Sequence, residues 1–600
     1  MKKRKLTLIL SLILSAMLII SGCQADEPGI DLAPDVPESQ DKPDSPSDEQ
    51  LGNNDEDDVA GENVIFSFTF DNEAEYGEFF SSALHSEIEW ASGFGHDDDY
   101  ALRVTLGGTN YNSANNAVIL TLPEPLPVDA LYNVTAWFYV PEDENPDKEL
   151  RLGGPGFVLN HDYAADLGVS KFPADNDSTY IYTGVWTEIN VDLPLMYDPI
   201  EMIDFRFYTN DAPTHPDVWY LDNIVITKIG SMEEVQEREW DLTLPSLKDA
   251  FSDYFMIGNV MEPNQIGNAD TVAMFTHHYN AVTAENSMKP SYLAPRKGEY
   301  EFAGADALVE WAEQNNIALH GHTLVWHSQS PAWLTVAEDG GPLTRAEARA
   351  NMEDFINTVA GRYAGRIYSW DVVNEAVLTS VSSAPSDWRN ALRKTESETE
   401  GKPSWYAAYA NGADESKGEC GSDYLYDAFV FARLAAPDAI LYYNDFNETE
   451  TGKREAIAMM TEELNERWKT DPLNTEPNRL LVEGLGMQAH YWTSNLTAAS
   501  VEMTIRRFIE TGAIISVSEL DIPLGRWNAY DEPTDEGFER QAELYKEVFE
   551  IYMNFAEHIE RVTFWGKADP QSWRGQGYPL LFDGFFRSKP AFDSIISLVS

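Results

Sequence analysis

Cysteine is nearly absent: Cys23 and Cys420 are the only two in 600 residues. A fold stapled by several disulfides is therefore excluded. Basic residues are scarce as well, 41 Lys and Arg against 101 Asp and Glu, for a formal net charge of -60. Phosphate backbones and anionic lipid surfaces repel such a chain, so no nucleic acid is expected as a partner. The partner should be neutral or weakly charged. Apolar residues are almost missing from residues 24–62, where Asp, Glu, Pro, Ser and Asn dominate. Such a stretch cannot bury enough surface to fold, and like charges extend it; a disordered acidic linker is expected. Elsewhere apolar content is ample, 43% of the whole chain with 12% aromatic. Six hundred residues with that content predict more than one domain.

The N-terminus reads as a targeting segment. Met1-Lys-Lys-Arg-Lys5 is basic, Leu6 to Ile20 is apolar, and Ile20-Ser-Gly-Cys23 closes it. The apolar stretch is short for a membrane span. The closing motif resembles a bacterial lipoprotein box, so residues 1–23 are expected to be a signal peptide and Cys23 the lipidated residue. The expected location is the bacterial cell surface, facing outward, with the membrane touched only through acyl chains.

Residues 63–230 carry short alternating runs such as Ala101-Leu-Arg-Val-Thr-Leu106 and Tyr132-Asn-Val-Thr-Ala-Trp-Phe-Tyr-Val140. Turn residues separate them and no helical pattern intervenes, which predicts an all-β sandwich. The order of its motifs, ending in Trp219-Tyr-Leu-Asp-Asn-Ile-Val-Ile226, resembles the jelly-roll carbohydrate-binding modules of families 4, 9 and 22. That resemblance implies sugar binding through exposed aromatics, with Trp90, Tyr111, Trp137, Trp186 and Trp219 to consider, and a structural calcium. Trp137 and Trp186 lie inside strand patterns and are expected in the core. A sandwich that only spaces the next domain is the plainer alternative.

From Trp240 to the end, strand-like and helical runs alternate, as in a (β/α)8 barrel. A polar stretch at 393–421 interrupts the alternation and is read as an insertion at the active-site face. Two glutamates close apolar runs, in Trp370-Asp-Val-Val-Asn-Glu375 and Ile514-Ile-Ser-Val-Ser-Glu519. A carboxylate at the C-terminal end of a barrel strand lands on the catalytic face. A pair of them is what glycosidic cleavage requires: a proton donor with a nucleophile or base.

The barrel motifs resemble glycoside hydrolase family 10, whose typical activity is endo-β-1,4-xylanase. They include Thr283-Ala-Glu-Asn-Ser-Met-Lys289, Gly321-His-Thr-Leu-Val-Trp-His327, Leu441-Tyr-Tyr-Asn-Asp-Phe-Asn447, Gly484-Leu-Gly-Met-Gln-Ala-His490 and Val562-Thr-Phe-Trp-Gly566, in the family's order. The resemblance implies a retaining mechanism with Glu375 as acid/base and Glu519 as nucleophile, without cofactor or catalytic metal. His490 would bond Glu519 and hold it ionised, with Asp521 orienting the imidazole. Asn374 would bond the sugar 2-hydroxyl. Glu285, Asn286, Lys289, His322, Trp326, His327 and Gln488 would line the glycone side, and Trp565 and Trp573 would form an aromatic floor and wall. The implied partners are xylan and xylo-oligosaccharides, bound by a monomer. Trp370 and Asp371 are read as structural. Two residues depart from the pattern. Lys567 stands where an apolar residue is usual, and is expected to place a cation near the glycone cleft or to pair with Asp569. Phe446 stands where Tyr is common.

Overall fold

The computed structural model describes residues 63–231 with gaps, and residues 238–599 apart from 400 and 528; the gaps are 72, 84–85, 107–116, 129, 146–150, 153–154, 160–170, 173–180, 194–198 and 208–214. The signal peptide, Cys23, the acidic linker and Tyr111 lie outside the described residues. No described helix is long and apolar enough to cross a membrane.

Residues 63–231 form two antiparallel sheets. One runs Thr187–Asp192, Ala130–Tyr139, Val218–Ser231, Tyr100–Leu106 and Ser86–Ser92, with Val64–Phe68 also on Val218–Ser231. The other runs Phe80–Ser82, Val118–Leu126, Ile200–Phe207, Pro155–Leu159 and Lys171–Phe172. Their inner faces share one apolar cluster that joins Val134 and Phe138 to Leu120, Ile203 and Phe205. Two features differ from the sequence reading. A short helix, Glu73–Phe79, interrupts the strands. Trp137 is not a core residue, whereas Trp186 is half-buried against a small apolar cluster of Ala101, Val218 and Tyr220. Along Ala130–Tyr139 the buried positions are Ala130, Tyr132, Val134, Ala136 and Phe138, so the two-residue period turns Trp137 outward. There the His96 ring stacks on Trp137 at 3.6 Å and meets Trp186 edge-on at 5.7 Å. Among the described residues there is no group of three or more His, Cys, Asp or Glu that could hold a metal ion. Of the other candidates, Trp219 is buried in the shared cluster. Trp90 stacks on Tyr100 at 4.7 Å.

The second part is a closed parallel barrel. Its strands are β1 (Met256–Val260), β2 (Ala281–Thr283), β3 (Ala318–Val325), β4 (Ser369–Asn374), β5 (Ile440–Asp445), β6 (Gly484–Met487), β7 (Ile514–Leu520) and β8 (Ile559–Phe564), with β8 paired to β1. Helices follow the strands, from Ala269–His278 after β1 to Pro590–Ile596 after β8. Strands buried on both faces read as continuous apolar runs; all six residues of β4 are buried. The helices start on sequence signals. Thr344 and Glu347 form a capping box at the head of Arg345–Arg362, an arrangement worth about 1 kcal/mol.

Candidate active site

Glu375 directly follows β4, and Glu519 is the penultimate residue of β7. Strands of a parallel barrel all end on one face, so both carboxylates belong to the same mouth. Glu375 has a left-handed φ of 55°, a conformation that costs a non-glycine residue about 1–3 kcal/mol and is held by its surroundings. Here the Glu375 N–H donates to the Asn444 carbonyl at 2.9 Å, and Arg393 Nε donates to the Glu375 carbonyl at 2.9 Å.

The two side chains have different partners. Trp326 Nε1 donates to Glu375 Oε2 at 3.0 Å, and Gln488 Nε2 donates to Oε1 at 3.0 Å. Asn444 Nδ2 donates to Glu519 Oε1 at 2.8 Å, and His490 Nε2 lies 3.2 Å from Oε2. Between them sits the Asn374 amide, 3.0 Å from Asn444 Nδ2 and 3.1 Å from Gln488 Nε2. A continuous set of amides thus ties one carboxylate to the other. Glycine makes room for it: a Cβ at Gly486 would overlap the Asn444 side chain.

Behind Glu519 stands a charged relay. His490 Nδ1 lies 3.0 Å from Asp521 Oδ2. Burial works against the imidazolium, but the Asp521 and Glu519 carboxylates outweigh it and push its pKa up to about 9. Burial likewise disfavours the Asp521 carboxylate, yet the Arg574 and His490 charges hold it below the usual carboxylate range. Arg574 Nη1 donates to Asp521 Oδ1, and its guanidinium lies 3.9 Å over Trp492.

On the β2–β3 side, the Asp371 carboxylate takes His320 Nε2 and His322 Nδ1, both at 2.9 Å. These two imidazoles overcome its burial and hold it well below the ordinary range. His322 meets Trp565 edge-on at 5.5 Å. Lys289 Nζ donates to Asn286 Oδ1 at 2.9 Å and lies 5.3 Å from the Trp326 ring. Burial lowers its pKa, against the pull of Glu285, Glu519, Glu262 and Glu375. Amides, imidazoles, one ammonium and indole rings therefore surround two carboxylates, a lining suited to a polyhydroxylated ligand with apolar C–H faces.

The model of glycosyl hydrolase family 10 matches residues 246–598, more than half of the chain. The chain belongs to this family. Among curated relatives, "Endo-1,4-beta-xylanase A" of Thermotoga neapolitana is 32% identical over 549 residues, covering 90% of this chain and 47% of that protein. This chain thus spans about half the length of that relative. "Beta-1,4-xylanase" of Dictyoglomus thermophilum is 33% identical, covering 62% of this chain and 96% of the relative. Among solved structures, xylanase B of Clostridium stercorarium F9 aligns with a TM-score of 0.50 at 30% identity, over 59% of this chain and 99% of that one.

Within this family 10 barrel, Asn374, Trp326 and Gln488 come together around Glu375, and His490 and Asp521 line up behind Glu519. His327 Nδ1 lies 3.9 Å from Glu375 Oε2. Trp573 is 51% exposed; its ring stands edge-on to His490 at 5.1 Å and its indole N–H donates to Asp521 at 3.2 Å. Trp370 packs under Gly321, where a Cβ would overlap its ring. Lys567 is buried and donates to Gln265 Oε1 at 2.9 Å and to the carbonyl of Val260, the last residue of β1, at 3.4 Å, while Asp569 pairs with Lys589 at 3.0 Å. Phe446 carries the Lys453 ammonium 3.9 Å from its ring. Sequence reasoning missed Asn444, Arg393 and Arg574. Asn444 and Arg574 stood inside or beside quoted motifs, and Arg393 opened the polar insertion; none had a visible partner in sequence.

Proposed function

We propose that this chain is a retaining endo-1,4-β-xylanase, with xylan and xylo-oligosaccharides as substrates. The reading rests on one observation above all: Glu375 and Glu519 stand at the ends of β4 and β7, joined through the Asn444, Asn374 and Gln488 amides. It is supported by family membership and by the printed activities of the relatives. In the first step Glu519 attacks the anomeric carbon while Glu375 gives its proton to the departing glycosidic oxygen. In the second, Glu375 takes a proton from water, which breaks the glycosyl-enzyme ester and frees the sugar with its configuration retained. His490 presents a cation to the attacking carboxylate, and Asn374 is placed to bond the sugar 2-hydroxyl. Glu285, Asn286, Lys289, His322 and Trp565 hold the glycone. No step calls for a metal or a cofactor.

The whole chain, on this proposal, is an exported lipoprotein held at the cell surface through Cys23. An acidic linker lifts the folded parts, and the jelly-roll sandwich is a xylan-binding module that raises the local concentration of enzyme on polymer. The enzyme acts as a monomer.

Paired variants test the assignments. Glu519→Ala should lower turnover by about 10⁴-fold or more. Glu375→Ala should lose about 10²–10⁴-fold on xylan and far less on aryl xylosides with activated leaving groups, which need no proton. Equal losses of Glu375→Ala on both substrates would refute the acid role, and full turnover by Glu519→Ala the nucleophile.

A further inference from the structure

We propose that Asp445 is a positioning residue for the acid Glu375, with Lys453 as its counter-charge and Tyr443 as its reach to the backbone beyond Glu375. The proposal rests on the xylanase reading and extends it to a buried group that reading does not use. Asp445 is the last residue of β5, and Lys453 lies near the start of the helix that follows, Thr451–Trp468. Both side chains are fully buried, and Lys453 Nζ stands 2.8 Å from Asp445 Oδ1. A buried ion pair rarely offsets its own desolvation, so stability alone is a weak reason for one.

The bonds of this pair supply another reason. The Tyr443 hydroxyl donates to Asp445 Oδ2, and the Val377 N–H donates to the Tyr443 oxygen at 3.1 Å. Val377 stands two residues past Glu375, in the segment that leaves the left-handed turn at the acid. On the other flank, the Gln488 N–H donates to the Asp445 carbonyl at 3.0 Å, and the Gln488 side chain donates to Glu375 Oε1 at 3.0 Å. Asp445 thus reaches the acid by two routes: through Tyr443 to its backbone, and through Gln488 to its carboxyl group. The Phe446 N–H takes up Asp445 Oδ1 as well, at 3.0 Å. Buried in this way, Asp445 acts only through its neighbours.

Charge sets the strength of the first route. Burial pushes the Asp445 pKa up, and the Glu375 charge adds to it, while the Lys453 ammonium and the Tyr443 hydroxyl pull the other way. Burial and then the Asp445 charge push the Tyr443 phenol well above its usual range, so it stays a donor toward Asp445 while its oxygen accepts from Val377. A hydrogen bond to an ionised acceptor is about twice as strong as one between neutral groups. Lys453 therefore sustains the stronger form of the bond. Proton transfer needs such bracing, because a displacement of about 1 Å at a reacting group costs about 10²-fold in rate.

The test compares full-length Tyr443→Phe, Asp445→Asn and the double variant Asp445→Asn with Lys453→Met against the parent. The double variant leaves no buried charge unpaired, so it carries the test if Asp445→Asn alone does not fold. Their kcat/KM is measured on xylohexaose and on an aryl β-xylobioside with an activated leaving group, whose departure needs no proton. Tyr443→Phe should lose about 3- to 10-fold on xylohexaose. The two Asp445 variants should lose about 10- to 100-fold there, and all three should stay within about 2-fold of the parent on the aryl xylobioside. Losses equal on the two substrates overturn the proposal, since damage to the fold or to sugar binding would produce them. A double variant as active as the parent on xylohexaose overturns it too, because the acid then keeps its place without Asp445. Full activity of Tyr443→Phe on xylohexaose overturns the route through Tyr443. A parent inert on both substrates would overturn the xylanase reading, and this proposal with it.

Discussion

His490 is the residue on which the electrostatics of the site turn. Its folded pKa of about 9 lies above the unfolded value near 6.5. A raised histidine contributes stability that is fully present below pH ~6.5 and is lost as pH rises through about 9. The melting temperatures of the parent and His490→Gln should therefore differ most near pH 6 and converge by pH 10; a constant gap would contradict the charged relay. Asp521→Asn should shift the alkaline limb of kcat/KM to lower pH, because it removes one of the two carboxylates that sustain the imidazolium. The strand-end placement of both glutamates was legible in the apolar runs that they close, whereas the grouping of His490 and Asp521 with Glu519 came only from the resemblance to family 10. The acceptors of Lys567 were not legible, since Gln265 stands 302 positions away in sequence. Arg574 and Asn444 were hidden likewise, since their partners come from other strands.

At the level of elements, the strands and helices of the barrel followed from periodicity, whereas the insertion at 393–421 did not yield its role. It reads in sequence as an insertion at the active-site face, with nothing to say what it does there. Arg393 grips the Glu375 carbonyl, and the helix Trp405–Ala410, capped by Ser404, buries Trp405 with its indole N–H on the Trp326 carbonyl at 3.3 Å. The insertion thus supports the backbone of both the acid and the indole that bonds it. Trp405→Ala should cost about 3–5 kcal/mol in chemical denaturation. It should also slow xylan cleavage more than cleavage of activated aryl substrates; a loss below about 1 kcal/mol with unchanged selectivity would show that the insertion is not part of the support. In the sandwich, Trp137 was assigned inward because it lies inside a strand pattern, although its parity, opposite to that of Val134, Ala136 and Phe138, already pointed it outward.

For the whole molecule, the proposed division of labour separates chemistry from capture. The Dictyoglomus thermophilum relative is matched over 96% of its length by 62% of this chain, so a protein of roughly the barrel's extent stands alone there. Removing residues 63–231 should therefore leave kcat/KM on xylohexaose within about 2-fold, while hydrolysis of insoluble xylan at low enzyme concentration falls by about 10-fold or more, as loss of a second binding module implies. Equal rates on insoluble xylan would leave the sandwich as a spacer. The alternation announced the antiparallel sheets of residues 63–231, but what they do depends on which aromatic faces stay uncovered, and that is a property of packing. His96 lying on Trp137 could not be read from residues 41 positions apart.

The account depends on Glu519 bonding to the anomeric carbon before water does. Proton NMR of the first products released from xylohexaose measures this directly, before mutarotation. The β-anomer should appear first and the α-anomer only as the sugars equilibrate. Initial release of the α-anomer would mean a single inverting displacement by water and would contradict the roles assigned to both glutamates.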